Sequence, residues 1–182
     1  SPLRNRLRNG ELDAIIVSLP FTEADVVTKP LYDEPFVVLM PHTHPLAAKT
    51  EIAPQDLQAH NVLLLGEGHC FRDQVLKACP NLEPTLESSR HVRTASEGSS
   101  LETLKHMVVS GLGITILPIS AAVTSQYADN LLTVRPFCDP EPVRTVALAW
   151  RASYPRAKAI DKVCEAIQKC KKPTLDNILN KN

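Results

Sequence analysis

The stretch Val62-Leu63-Leu64-Leu65-Gly66-Glu67-Gly68-His69-Cys70-Phe71-Arg72-Asp73-Gln74-Val75-Leu76-Lys77-Ala78-Cys79 passes from one backbone period to another. Its first four residues are an unbroken apolar run, the length of a strand covered on both faces. Gly66 and Gly68 interrupt the run. Phe71, Val75 and Ala78 then recur at helical spacing, and Pro80 stops the helix because it has no N–H to donate and its ring crowds the preceding turn. A buried strand that feeds a helix through a glycine turn is the building unit of an α/β fold.

The flanking sequence repeats this alternation. Leu3 and Leu7 mark the last turns of a helix that Gly10 ends. Residues 12–19 read as a buried parallel strand, residues 30–35 as a Pro-rich crossing segment and residues 36–40 as a further strand. Residues 41–46 read as a loop with His42 and His44 in solvent, and residues 53–57 as a short helix start. Downstream, residues 80–89 are rich in turn formers. Ser99-Ser100-Leu101-Glu102 reads as a capping box in which a serine caps the helix and Glu102 reaches back. Leu101, Leu104, Val108 and Val109 form that helix's apolar stripe, and Gly111 and Gly113 end it. Strands follow at residues 114–117 and 143–150, then a long amphipathic helix over residues 157–179, interrupted at Pro173. The pattern predicts an α/β class with mainly parallel sheets, and the Pro-rich segments 30–35 and 136–142 are its natural crossings between two lobes.

Composition narrows the function. The chain has 182 residues, 43% of them hydrophobic and 22% charged, enough to build a real core and too apolar for a disordered chain. Twenty basic residues balance twenty acidic ones, so the chain lacks the basic surplus that nucleic-acid binding by itself needs. The apolar runs are strand-sized, which predicts no membrane span, and the polar opening Ser1-Pro2-Leu3-Arg4 carries no signal-peptide pattern. Cys70, Cys79, Cys138, Cys164 and Cys170 form an odd set without a dense framework, which favours a reducing compartment.

The chemistry concentrates at Cys70, where strand gives way to helix. A helix N-terminus presents unpaired N–H groups and partial positive charge, and both favour thiolate over thiol. His69 and Arg72 add charge nearby, and a thiolate so placed is the setting for oxidation to sulfenic acid by a peroxide. Cys79 is nine residues on. On one helix the two lie about 13.5 Å apart along the axis and on opposite faces, whereas a disulfide needs Cα atoms within about 7 Å. A bond between them therefore requires the helix to unwind. Against this stands a plainer reading, in which both are small buried hydrophobes. The spacing is not that of a zinc site, no cofactor is implied, and a cysteine protease would have to recruit His91 or His106, which nothing singles out.

Gly68-His69-Cys70-Phe71-Arg72-Asp73-Gln74 followed by Cys79 resembles the redox segment of the peroxide-sensing LysR-type bacterial transcription regulators. Residues 99–104 with Met107-Val108, residues 111–118, the Arg8-Asn9-Gly10-Glu11-Leu12-Asp13 block, residues 30–35 and Cys138-Asp139-Pro140-Glu141-Pro142-Val143-Arg144-Thr145 resemble further blocks of the same family. The resemblance implies a LysR-type effector domain with two Rossmann-like lobes, like those of periplasmic binding proteins. Lobe I would comprise residues 1–32 and 146–182, and lobe II residues 33–145 with the redox cysteines. It implies Cys70 as the peroxide-reactive cysteine and Cys79 as its disulfide partner, with Gly68, His69, Arg72, Asp73 and, more remotely, Arg144 around the reactive site. Cys138 matches a family cysteine outside the switch, and Cys164 and Cys170 are expected to be structural or on the surface. It implies hydrogen peroxide as signal, a homodimer or tetramer, a thiol reductant such as glutaredoxin, and RNA polymerase as a partner of the full-length regulator. Promoter DNA would be bound only through an N-terminal winged helix-turn-helix, which this sequence does not contain; nor does it contain the first strand and most of the first helix of lobe I. The expectation is a sensor rather than an enzyme. Two rivals stand beside it: a LysR-type domain that binds a small organic effector without redox switching, and a thiol peroxidase.

Overall fold

The structure, a computed structural model, describes residues 2–66, 70–82, 92–94, 100–122 and 131–170. The chain divides into two compact units, Ser1–Glu34 with Arg144–Lys172 and a second that takes in Pro35–Val143.

In the first unit, α1 (Pro2–Arg8) leads to β1 (Ala14–Ser18), which pairs antiparallel with β7 (Val143–Arg151) in the register Ala14 to Trp150 and Ser18 to Val146. β7 neighbours β2 (Val26–Pro41) on its other side. Two small cores cover this sheet. Leu7 of α1 packs with Ile15 and Ala149, while Ile160 and Cys164 of α5 (Ala157–Lys169) pack with Leu31 and Leu148. The helical stripe predicted from Ile160 onward is therefore real up to Lys169, and its continuation to residue 179 lies outside the described residues.

The second unit holds the larger core. Its described strands run in the order β6 (Leu132–Pro136), β2, β5 (Ile114–Pro118), β3 (Val62–Leu64), β4 (Val92–Thr94). Phe36, Val37, Val38, Leu39 and Met40 are sealed from solvent at the centre. Such a run suits a strand covered on both faces. On the sheet pack α2 (Cys70–Ala78), through Phe71 and Val75, and α3 (Leu101–Val109), through Leu104 and Val108. A short α4 (Ile119–Ala122) follows β5.

The α/β class holds, but four expectations need correction. The sheet is mixed rather than mainly parallel: β2 runs antiparallel to both β5 and β6, β1 runs antiparallel to β7, and β3 pairs parallel with β4 and β5. Residues 30–35 do carry the chain from the first unit into the second, which divide at Glu34 and Pro35, but they and residues 36–40 are not separate elements. They lie within one 16-residue strand, because Pro30 and Pro35 forbid only a ladder N–H and not extended backbone. The cap of α3 is one residue later than read: Ser100 Oγ accepts the Thr103 N–H at 3.2 Å, Thr103 Oγ1 accepts the Ser100 N–H at 3.3 Å, and Glu102 binds Lys105 instead. His44 is not a free loop residue. Its Nδ1 accepts the Leu46 N–H and caps the 3-10 turn Pro45–Ala48, with its ring edge-on to His60 at 4.7 Å. The two glycines after α3 have separate jobs. Gly111 takes φ +74 and so ends the helix, whereas a Cβ on Gly113 would lie 2.4 Å from the Asn61 carbonyl oxygen where β5 meets β3.

Candidate redox site

α2 is the element on which the candidate site is built. Cys70 is its first residue, and Cys79 follows directly after its last. The backbone between them is closed: the Cys79 N–H donates to the Val75 carbonyl at 2.8 Å. Nine steps of 1.5 Å separate the two residues by about 13.5 Å along the axis, about twice the Cα separation that a disulfide tolerates.

The helix is held by one face. Phe71, Val75 and Cys79 are spaced by four, and Val75 and Cys79 are completely buried. Phe71 meets Phe36 with ring centroids 6.1 Å apart. Burial of an apolar side chain of this size is worth roughly 1.5–3 kcal/mol, so this face outweighs the weak intrinsic stability of a nine-residue helix. The Arg72 side chain is also buried, and its Nη1 donates to the Leu65 carbonyl at 3.2 Å, which ties α2 to the end of β3. Asp73 is exposed in the first turn, where a carboxylate complements the positive end of the helix.

Cys79 carries a free thiol, and burial pushes it up to about 11. At pH 7 only about one molecule in 10⁴ would hold it as thiolate, given a value of about 11. Thiolate is the nucleophile, so Cys79 is chemically silent while α2 is docked.

Of the residues singled out from sequence, the structure brings Cys70, Arg72, Asp73 and Cys79 onto α2 or its end. Gly68 and His69 lie outside the described residues, and so does His91. Arg144 belongs to the other unit, where its guanidinium makes a double contact with Glu34 Oε2, from Nη2 at 2.7 Å and Nε at 2.8 Å. Glu34 is buried, and the sequence reading missed it. An acidic residue set just before an apolar strand was its only local mark. Thr145 donates to Asp33 at 2.6 Å one step along the same strands. Cys138 is half-buried, Cys164 is buried on the inner face of α5, and Cys170 is exposed. His106 is exposed on α3. Among the described residues no three His, Cys, Asp or Glu side chains converge as metal ligands, and no helix is long and apolar enough to cross a membrane.

The family model of the LysR substrate binding domain matches residues 2–170. A probable hydrogen peroxide-inducible genes activator of Streptomyces viridosporus is 37% identical over 167 residues, which cover 91% of this chain and 52% of the relative. The chain thus spans about half the length of the curated relatives it matches. Among solved structures, the reduced form of the OxyR regulatory domain from Pseudomonas aeruginosa is 56% identical with a TM-score of 0.80, covering 93% of this chain and 78% of that one. An oxidised form of OxyR is 32% identical with a TM-score of 0.72, covering 92% of this chain and 76% of that one.

Proposed function

The chain belongs to the LysR substrate-binding domain family and, within it, to the OxyR regulatory domains; from this premise we propose that it is the peroxide-sensing part of a transcription regulator. The Cys70 thiolate attacks one oxygen of hydrogen peroxide, the O–O bond breaks, and the leaving hydroxide is protonated to water. Cys70 is left as a sulfenic acid. The Cys79 sulfur then attacks the Cys70 sulfur, the second oxygen leaves as water, and a disulfide remains. Two thiols are oxidised and one peroxide is reduced to two waters.

One observation carries this reading. Cys79 is buried behind a closed helix that also fixes its distance from Cys70, so the second step is gated by α2. Once formed, the bond excludes the docked helix and forces Phe71 and Val75 out of their packing. A covalent event is thereby converted into a change of fold, which is what a signal requires. Arg72 and Asp73, with Gly68 and His69 beside them in sequence, would orient and charge-balance the thiolate, and Arg144 is the outlying member of that set.

The two compact units would be the regulatory lobes of a periplasmic-binding-protein-like domain, with both redox cysteines in the second. The longer protein would work as a homodimer or tetramer in the bacterial cytoplasm. It would bind promoter DNA through an N-terminal winged helix-turn-helix, engage RNA polymerase, and be reset by a thiol reductant such as glutaredoxin.

Mass mapping of cysteine pairs after stoichiometric peroxide tests the reading. The expected product is a Cys70–Cys79 crosslink, absent in Cys70→Ser and replaced in Cys79→Ser by a trapped sulfenic acid on Cys70. A crosslink from Cys70 to Cys138 or Cys164, or no oxidation at Cys70, overturns it. Sustained peroxide turnover with a thiol donor at a protective rate would make the protein a peroxidase instead.

A further inference from the structure

α2 is held on the core by three well-buried side chains and one guanidinium, yet it carries a defect. Gln74 Oε1 is sealed from solvent and has no hydrogen-bond partner, the single such side-chain oxygen or nitrogen among the described residues. A buried acceptor left without a donor loses its hydration and gains nothing in return. Gln74 lies one turn beyond Cys70 and one residue before Val75, in the middle of the segment that must unwind. When the helix opens, water can reach the amide and the penalty disappears.

We propose that the unpartnered Gln74 carbonyl biases α2 toward opening, so that the closed helix is held below its attainable stability and the Cys70–Cys79 couple is poised nearer to oxidation. The redox half of this statement rests on the proposed function; the helix half does not. Helix propensity does not explain the choice of residue, because Gln, Met and Leu are near-equal helix formers. A Met at 74 would keep length and propensity while removing the buried acceptor.

The test is hydrogen exchange of the reduced protein, read on peptides spanning residues 71–79, in wild type and Gln74→Met. Relief of one buried unsatisfied acceptor corresponds to slowing of about tenfold, with peptides from β7 unchanged. Gln74→Leu repeats the measurement with a different shape in case Met packs poorly. The second readout is a titration in glutathione buffers, in which one glutathione disulfide oxidises the two thiols and two glutathiones are released. Gln74→Met should lower that equilibrium constant by the same factor. Unchanged or faster exchange in both folded variants overturns the inference. So does slowed exchange with an unshifted equilibrium constant. If wild type forms no Cys70–Cys79 disulfide, the proposed function falls, and the exchange data still decide whether Gln74 loosens the helix.

Discussion

Val75→Ala isolates the energy that keeps Cys79 out of reach. Val75 has no solvent exposure and sits between Phe71 and Cys79 on the docking face of α2. The truncation removes two carbons, about 1.6 kcal/mol of transfer free energy at ~0.8 kcal/mol each. A residual cavity adds to this, on the order of 1 kcal/mol. Alanine's better helix propensity opposes it by about 0.5 kcal/mol. The net loss is about 2 kcal/mol, which falls almost wholly on the docked helix because residue 75 is exposed once α2 opens. Opening should then be populated about thirtyfold more. Alkylation of Cys79 in the reduced protein, followed by mass spectrometry, reads this directly. Two other cysteines supply internal standards: Cys170 is exposed and should react at the same fast rate in both proteins, and Cys164 is buried in the other unit and should stay slow in both. Cys79 should label about thirtyfold faster while the urea midpoint drops in step. If the midpoint drops and Cys79 labels at the wild-type rate, the thiol is uncovered by some route other than undocking of α2, and the gating argument fails.

Burial first and His60 second lower the affinity of His44 for a proton, and its Nδ1 accepts the Leu46 N–H only when unprotonated. The folded state therefore binds that proton less well than the unfolded chain, so this contribution to stability is complete above the ordinary value of 6.5 and is lost as pH falls through the lowered folded value. Urea unfolding between pH 7.5 and 5 should show the decline, and His44→Asn, which keeps a capping acceptor without a titration, should flatten it. Gly113→Ala should destabilise by about 2–3 kcal/mol through overpacking against the Asn61 carbonyl; a denaturation midpoint unchanged from wild type would mean that β3 and β5 yield there freely.

What could be read in the sequence was local. The existence of β1, β3, β5, β7 and α2 follows from runs and spacings within a single element, and so does the separation of Cys70 from Cys79, because helical geometry sets it without reference to anything else. The direction of pairing was not local. Leu39 faces Thr115 on one side and Val134 on the other, both antiparallel, and nothing in Phe36–Met40 distinguishes that from parallel neighbours. β6 escaped because Leu-Thr-Val-Arg-Pro is short and ends on a proline. Glu34 finds its partner 110 residues away, so the charge was visible and its compensation was not. The same division runs through the candidate site. The residues at 70 and 79 declare a conflict between a helix and a bond in any sequence that places them so. How far that conflict is balanced depends on the burial of Val75 and Cys79, on the anchoring of Arg72 and on an amide at 74 that meets no donor, and each of these is a property of what surrounds the helix. Under the proposed function, a helix with the same cysteine spacing and a fully satisfied, better-packed interior would resist oxidation: the spacing would make a switch geometrically available and the tertiary packing would set its threshold.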